Sequence, residues 1–156
     1  MSVQNLVLAL DASLQSEIGA KNAQIELLDR QERAITARDV DALAEATREL
    51  QVHIQREIER ASKRSAILAD LTRTMGIAAP ARVGAIADAL GPRGRNLAAR
   101  RTELRARCAA SLRKSRHVAA LVRGHASLVE EALGRFLSPD PSGAPLGRGS
   151  LVDAEA

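Results

Sequence analysis

Residues 47–75 read TRELQVHIQREIERASKRSAILADLTRTM, and they place Thr47, Ile54, Ala61, Leu68 and Met75 on one seven-residue ladder. Such spacing keeps one stripe of a helix turned toward a partner helix. The pattern recurs on both sides. Upstream, Val7, Leu14, Leu28 and Ile35 form a ladder interrupted only by Lys21, with Ile18 and Ile25 beside it. Downstream, Leu97, Leu104, Ser111 and Val118 form a third, beside Cys108, Val122, Val129 and Phe136. Three such stretches predict an all-α fold: an elongated antiparallel three-helix bundle of coiled-coil character.

Punctuation residues set the expected boundaries. The first helix is expected over about 3–37, with Gly19 its weakest point. Asp39 suits an N-cap for a second helix over about 40–75, and Asp41 adds negative charge where the helix dipole favours it. Gly76 followed by Ile77 reads as a C-terminal stop with its hydrophobic contact. Pro80 is expected to open a short helix through Leu90, with Gly91 ending it and Pro92 starting the third long helix. Ile77, Val83, Ile86 and Leu90 give this connection an apolar side, suited to capping one end of the bundle. Ser138-Pro139 stops the third helix. Residues 138–156 contain three Pro and three Gly and little to bury, and are expected to be disordered alone. The expected domains are therefore a helical bundle over 1–137 and a disordered tail over 138–156.

Composition narrows the class. In 156 residues Phe136 is the only aromatic, so the core must be built from Leu, Ile, Val and Ala, as a narrow helix seam allows. Such a seam buries little area per residue, and modest stability is expected. Cys108 is the only cysteine, which excludes an intramolecular disulfide. No stretch approaches the roughly 20 apolar residues that span a bilayer, and no signal-peptide pattern opens the chain, so a cytoplasmic location without membrane insertion is expected.

The net charge of +4 is unevenly distributed: residues 92–137 hold 11 Lys/Arg against 3 Asp/Glu, while residues on either side are net acidic. A basic helix can attract a phosphate backbone. Its arginines scatter around the helix, however, and no aromatic is available to stack bases. The plainer reading is that they pair with the acidic faces of the first two helices, which argues against nucleic acid as the main partner.

Catalysis finds little support. His117 and His125 lie eight residues apart and do not form a His-x-x-x-His pair, and no Cys pair completes a site; no metal and no cofactor are implied. His125 reads as a tolerated polar residue of the seam, and Cys108 as a small buried apolar group. The end of the third helix is more suggestive. Leu121, Val122, Leu128, Val129, Leu133, Phe136 and Leu137 exceed what one narrow seam needs. They are either covered by neighbouring helices or form a patch for a partner's amphipathic helix.

Leu27-Leu28 with Glu32 and Ile35, then Asp39 and Leu43, and later Arg64, Leu68, Leu71 and Gly76, form a further pattern. Leu121-Val122 with Leu128, Leu133 and Phe136 follows, and then Gly147 and Gly149 near Leu146. In this layout the chain resembles the FlgN-type flagellar export chaperones over nearly its whole length. The resemblance implies a cytoplasmic chaperone, not an enzyme. It would bind the C-terminal helical segments of flagellar hook-associated (hook–filament junction) proteins, prevent their premature assembly and deliver them to the flagellar type III export apparatus. With the apolar surplus of the third helix and the apolar residues of the tail, the residues expected to bind the partner are Leu128, Val129, Leu133, Phe136 and Leu137, with Leu146, Leu151 and Val152 from the tail. A structural coiled-coil adaptor, a nucleic-acid-associated protein using the Arg-rich third helix, and a homodimer that completes the bundle stay open as alternatives.

Overall fold

The computed structural model describes residues 2–78, 80 and 82–137, with the side chains of 136 and 137 excepted. The described residues are helical, in the order α1 (Val3–Ala37), α2 (Val40–Met75), α3 (Val83–Leu90), a short 3-10 turn (Gly91–Gly94) and α4 (Arg95–Leu137). The chain divides into two compact units, Met1–Val122 and Arg123–Ala156. The tail expected over 138–156 lies outside the described residues.

Local chemistry explains the ends. Ser2 caps α1 by accepting the Asn5 N–H at 3.3 Å. Asp39 caps α2, its Oδ1 accepting from the Ala42 N–H at 2.9 Å. At the end of α2 the Ile77 N–H donates to Thr72 O at 3.0 Å and Gly76 N–H to Arg73 O at 3.4 Å, with Gly76 at φ 67°. This is the paired C-terminal bonding that favours glycine. The same pattern closes α1, where Asp39 N–H donates to Ala34 O at 2.9 Å, but Arg38 occupies the left-handed position at φ 57°.

The connection after α2 departs from the sequence reading. Helix α3 begins at Val83 with Arg82 as its N-cap residue, not at Pro80. Pro92 stands inside the 3-10 turn, and α4 starts at Arg95. Close packing accounts for the start of α4: Gly94 is buried, and a Cβ there would run into the carbonyl of Ala87. The chain must fold tightly back on α3 before α4 can begin.

Side-chain bonds show the packing within the first unit. Arg30 pairs with Glu49, Lys21 with Glu57, and Glu17 with Arg64. Numbers rise on one helix as they fall on the other, so α1 and α2 form an antiparallel hairpin. Arg100 lies 3.7 Å from Asp11, Ser111 donates to Gln24 Oε1 at 2.7 Å, and Lys114 meets Asp29 at 2.5 Å. Here the numbers rise together, so residues 95–122 run alongside α1 in the same direction.

Two apolar clusters result. The larger joins Leu6, Leu10 and Leu14 of α1 to Leu71 of α2, Ile86 and Ala87 of α3 and Leu97 of α4. Ile77, Val83 and Leu90 pack against it, so the connection contributes an apolar lid as its composition suggested. The smaller joins Leu28 and Ile35 to Val118, with Leu43, Leu50 and Leu121 beside them. Gln31 is buried next to this cluster and donates to Thr47 Oγ1 at 3.0 Å, which in turn donates to Leu43 O. A buried amide is thereby paired.

The ladders fare unequally. Leu14, Leu28 and Ile35 of the first and Leu97, Ser111 and Val118 of the third are buried. The second is not: Ile54 is 41% exposed, Ala61 is exposed, and Thr47, Leu68 and Met75 are half-buried. Helix α2 instead buries Ala46, Leu71 and Thr72. Cys108, expected on the seam, is exposed, and so are His125 and Val122.

Two outcomes are expected. Arg38→Gly should raise stability by about 0.5–1 kcal/mol, because glycine adopts the left-handed cap without a Cβ clash; urea unfolding reads this. Leu10→Ala should cost about 2–5 kcal/mol in the same measurement, while Ile54→Ala, on the exposed ladder, should cost well under half of that.

Candidate partner-binding surfaces

Helix α4 carries the residues singled out as partner-binding. From Val122 through Arg135 every side chain described is exposed. Leu128 is 64%, Val129 58% and Leu133 52% exposed, high values for branched apolar side chains. At 3.6 residues per turn Leu128, Val129, Ala132 and Leu133 share an arc of roughly 140°. Taken by itself, the terminal section of α4 carries an exposed apolar stripe of Leu128, Val129 and Leu133. The local Glu131–Arg135 pair at 2.5 Å flanks the stripe and, being exposed at both ends, contributes at most a few tenths of a kcal/mol. Phe136 and Leu137 belong to α4 by backbone, but their side chains are outside the described set, as are Leu146, Leu151 and Val152 altogether.

The basic charge of α4 behaves differently from the expectation of general intramolecular pairing. Arg100 meets Asp11, Lys114 bridges Asp29 and Glu32, and Glu32 also receives His117 Nε2 at 3.0 Å. Bonds to Asp29 and Glu32 hold the Lys114 ammonium above its ordinary pKa. The Lys114 bond, followed by that of His117, pulls the Glu32 carboxyl below the usual 4.5. Arg93, Arg95, Arg101, Arg105, Arg107, Arg113, Arg116 and Arg123 make no ion pair among the described residues. The acids of α1 answer only the basic groups on the side of α4 that faces α1.

One surface escaped the sequence reading. Between α2 and residues 95–122, with α1 as its floor, runs an open groove of about 810 Å³ lined by Ile54, Ile58, Ala61, Leu104 and Cys108 among others. The ladder through Ile54 and Ala61 was legible, but its spacing could not show that these positions face a gap. The signal available was the small side chain at Ala61, which leaves a helix seam thin.

The described surfaces are thus apolar and basic strips on long helices, the equipment of a helical binding module. No helix among the described residues is long and apolar enough to cross a membrane. The family model described as FlgN protein matches residues 1–144, and the chain belongs to that family, a family of flagellum-biogenesis chaperones rather than of enzymes. No curated protein and no solved structure matches.

The Lys114–Glu32 pair carries a pH signature. A carboxyl lowered in the folded state stabilises the fold above its unfolded pKa, and that contribution is lost as pH falls through the folded value. Urea midpoints measured downward from pH 5 should therefore fall in the wild type, and fall less steeply in Glu32→Gln. Equal slopes would remove Glu32 from the acid response.

Proposed function

We propose that this protein is a cytoplasmic export chaperone for flagellar hook-associated proteins. In this reading α1, α2 and residues 95–122 act as a three-helix bundle, and the terminal section of α4 holds the client's C-terminal helical segment through Leu128, Val129, Leu133, Phe136 and Leu137. Residues 138–156 add Leu146, Leu151 and Val152 to the same contact. The observation that carries the reading is the solvent-exposed stripe of Leu128, Val129 and Leu133 in a chain of the FlgN family.

The physics is that of helix-in-groove recognition. A client segment that assembles by helix packing has an apolar stripe before assembly, and a second stripe can cover it. Burial of such surface gives a negative heat-capacity change. Ordering costs keep the affinity moderate, so client release at the export apparatus requires no chemistry by the chaperone itself.

Calorimetric titration with a hook-associated protein that includes its C-terminal helical segment tests this. A saturable one-site isotherm with negative heat-capacity change is expected. The double substitution Leu128→Glu with Leu133→Glu, at exposed positions, should weaken binding at least about tenfold, or roughly 1.4 kcal/mol. Deletion of residues 138–156 should weaken it less. Unchanged affinity in the double variant would move the client site away from α4.

A further inference from the structure

We propose that the groove between α2 and residues 95–122 is a second docking site, distinct from the terminal stripe of α4, and that its occupant is an acidic amphipathic helix of a partner protein.

The groove lies between two apolar clusters that α2 shares with residues 95–122. Ile67, Leu68 and Met75 share the larger cluster with Leu97 and Leu104, and Leu43 and Leu50 share the smaller one with Val118 and Leu121. Between these clusters Ile54, Ile58, Ala61 and Cys108 reach solvent, Ile58 at 60% exposure. No hydrogen bond or ion pair among the described residues crosses from α2 to α4 there. Both helices lean on α1, whose buried Leu14 and Ala20 form the floor.

The shape suits a helix. Ile54, Ile58, Ala61 and Leu68 follow the alternating four- and three-residue spacing that forms holes for the knobs of a neighbouring helix. Leu104 and Cys108 repeat the four-residue step on the opposite wall. From Ile54 to Leu68 this wall extends about 21 Å, enough for four turns of an occupant.

The charge selects an acidic one. Among the described residues six basic side chains line the groove against two acids, Glu17 and Glu57, and both acids are engaged, with Arg64 and with Lys21. Arg60, Arg82, Arg101 and Arg105 have no ionic partner among the described residues. Arg60 Nη1 is buried without a hydrogen-bond acceptor there. The exposed guanidiniums of Arg101 and Arg105 can each take a carboxylate from an occupant in a charge-assisted bond. An apolar floor between arginine rims calls for a helix with an apolar stripe flanked by Glu or Asp. A nucleic acid would match the rims but not the floor, and among the described residues no aromatic side chain lines the groove to stack its bases.

The test uses the full chain and fluorescence anisotropy. The probe is a labelled helical peptide of about 18 residues, roughly 27 Å long, with a Leu/Ala stripe flanked by Glu. A control peptide carries the same stripe flanked by Lys. The Glu-flanked peptide should bind saturably and the control at least tenfold more weakly. Arg101→Glu with Arg105→Glu, and separately Ile58→Glu, all exposed positions, should each weaken the Glu-flanked peptide tenfold or more while leaving helical content by circular dichroism unchanged. Leu128→Glu with Leu133→Glu should leave peptide binding intact, which separates this site from the proposed client stripe. Equal binding of both peptides, or none by either, would overturn the proposal. So would duplex DNA that displaces the Glu-flanked peptide at equal affinity. Self-association abolished by Ile58→Glu in sedimentation would overturn it too, by making a second copy of the chain the occupant.

Discussion

The burial of one face of α1 is the constraint on which the rest of the packed unit depends. Leu6, Leu10, Leu14, Ile18, Leu28 and Ile35 are all removed from water along this one helix. Each such side chain is worth roughly 1.5–3 kcal/mol when fully buried. Every other element of the unit acquires its position by covering part of that face. Helix α2 folds back on it through the Arg38-Asp39 turn, α3 seals the Leu10 end, and residues 95–122 run alongside. The polar links follow the same hierarchy, since Lys21, Glu17, Gln24, Asp29 and Glu32 of α1 each meet a partner from another helix.

A hub of this kind leaves the flanking helices underused. With no aromatic in the described core, Leu and Ala must fill the space between helices, and α2 and residues 95–122 share apolar packing at two clusters with a gap between them. The outcome is surface that a bulkier core would have hidden: the Ile54–Ile58 wall of α2 and the basic side of α4. Helix α4 adds to this by carrying Leu128, Val129 and Leu133 in a section where every described side chain is exposed. In the proposed reading this economy serves binding, because exposed apolar stripes on helices are what a helical client can use. Most α4 arginines have no paired acid among the described residues, and unpaired charge at a rim selects a partner by sign more than it strengthens binding.

Much of this was readable in the residues. Asp39, Gly76 and the ladder through Leu14, Leu28 and Ile35 encode caps and periodicity, which are local properties and therefore visible in one dimension. The boundaries of α1 and α2 follow from them. The start of α3 was misread because Pro80 is a strong local signal for a helix start. The start of α4, expected at Pro92, falls at Arg95, where Gly94 first approaches Ala87 closely, a contact between residues seven apart across a turn.

By itself, then, the sequence determined that the chain is helical, where its long helices end, and that α4 carries surplus apolar and basic residues. These depend on dihedral preference, spacing and composition. Only the tertiary structure decided which ladder is buried. Thr47, Ile54 and Ala61 have the same period as Leu14 and Leu28, yet a heptad repeat states that a stripe exists without naming its neighbour. That α1 is the hub, that Cys108 and Ile58 face a gap, and that Arg101 and Arg105 meet no acid among the described residues are consequences of which helices approach which. Such distances are set by the competition of whole faces for one apolar surface.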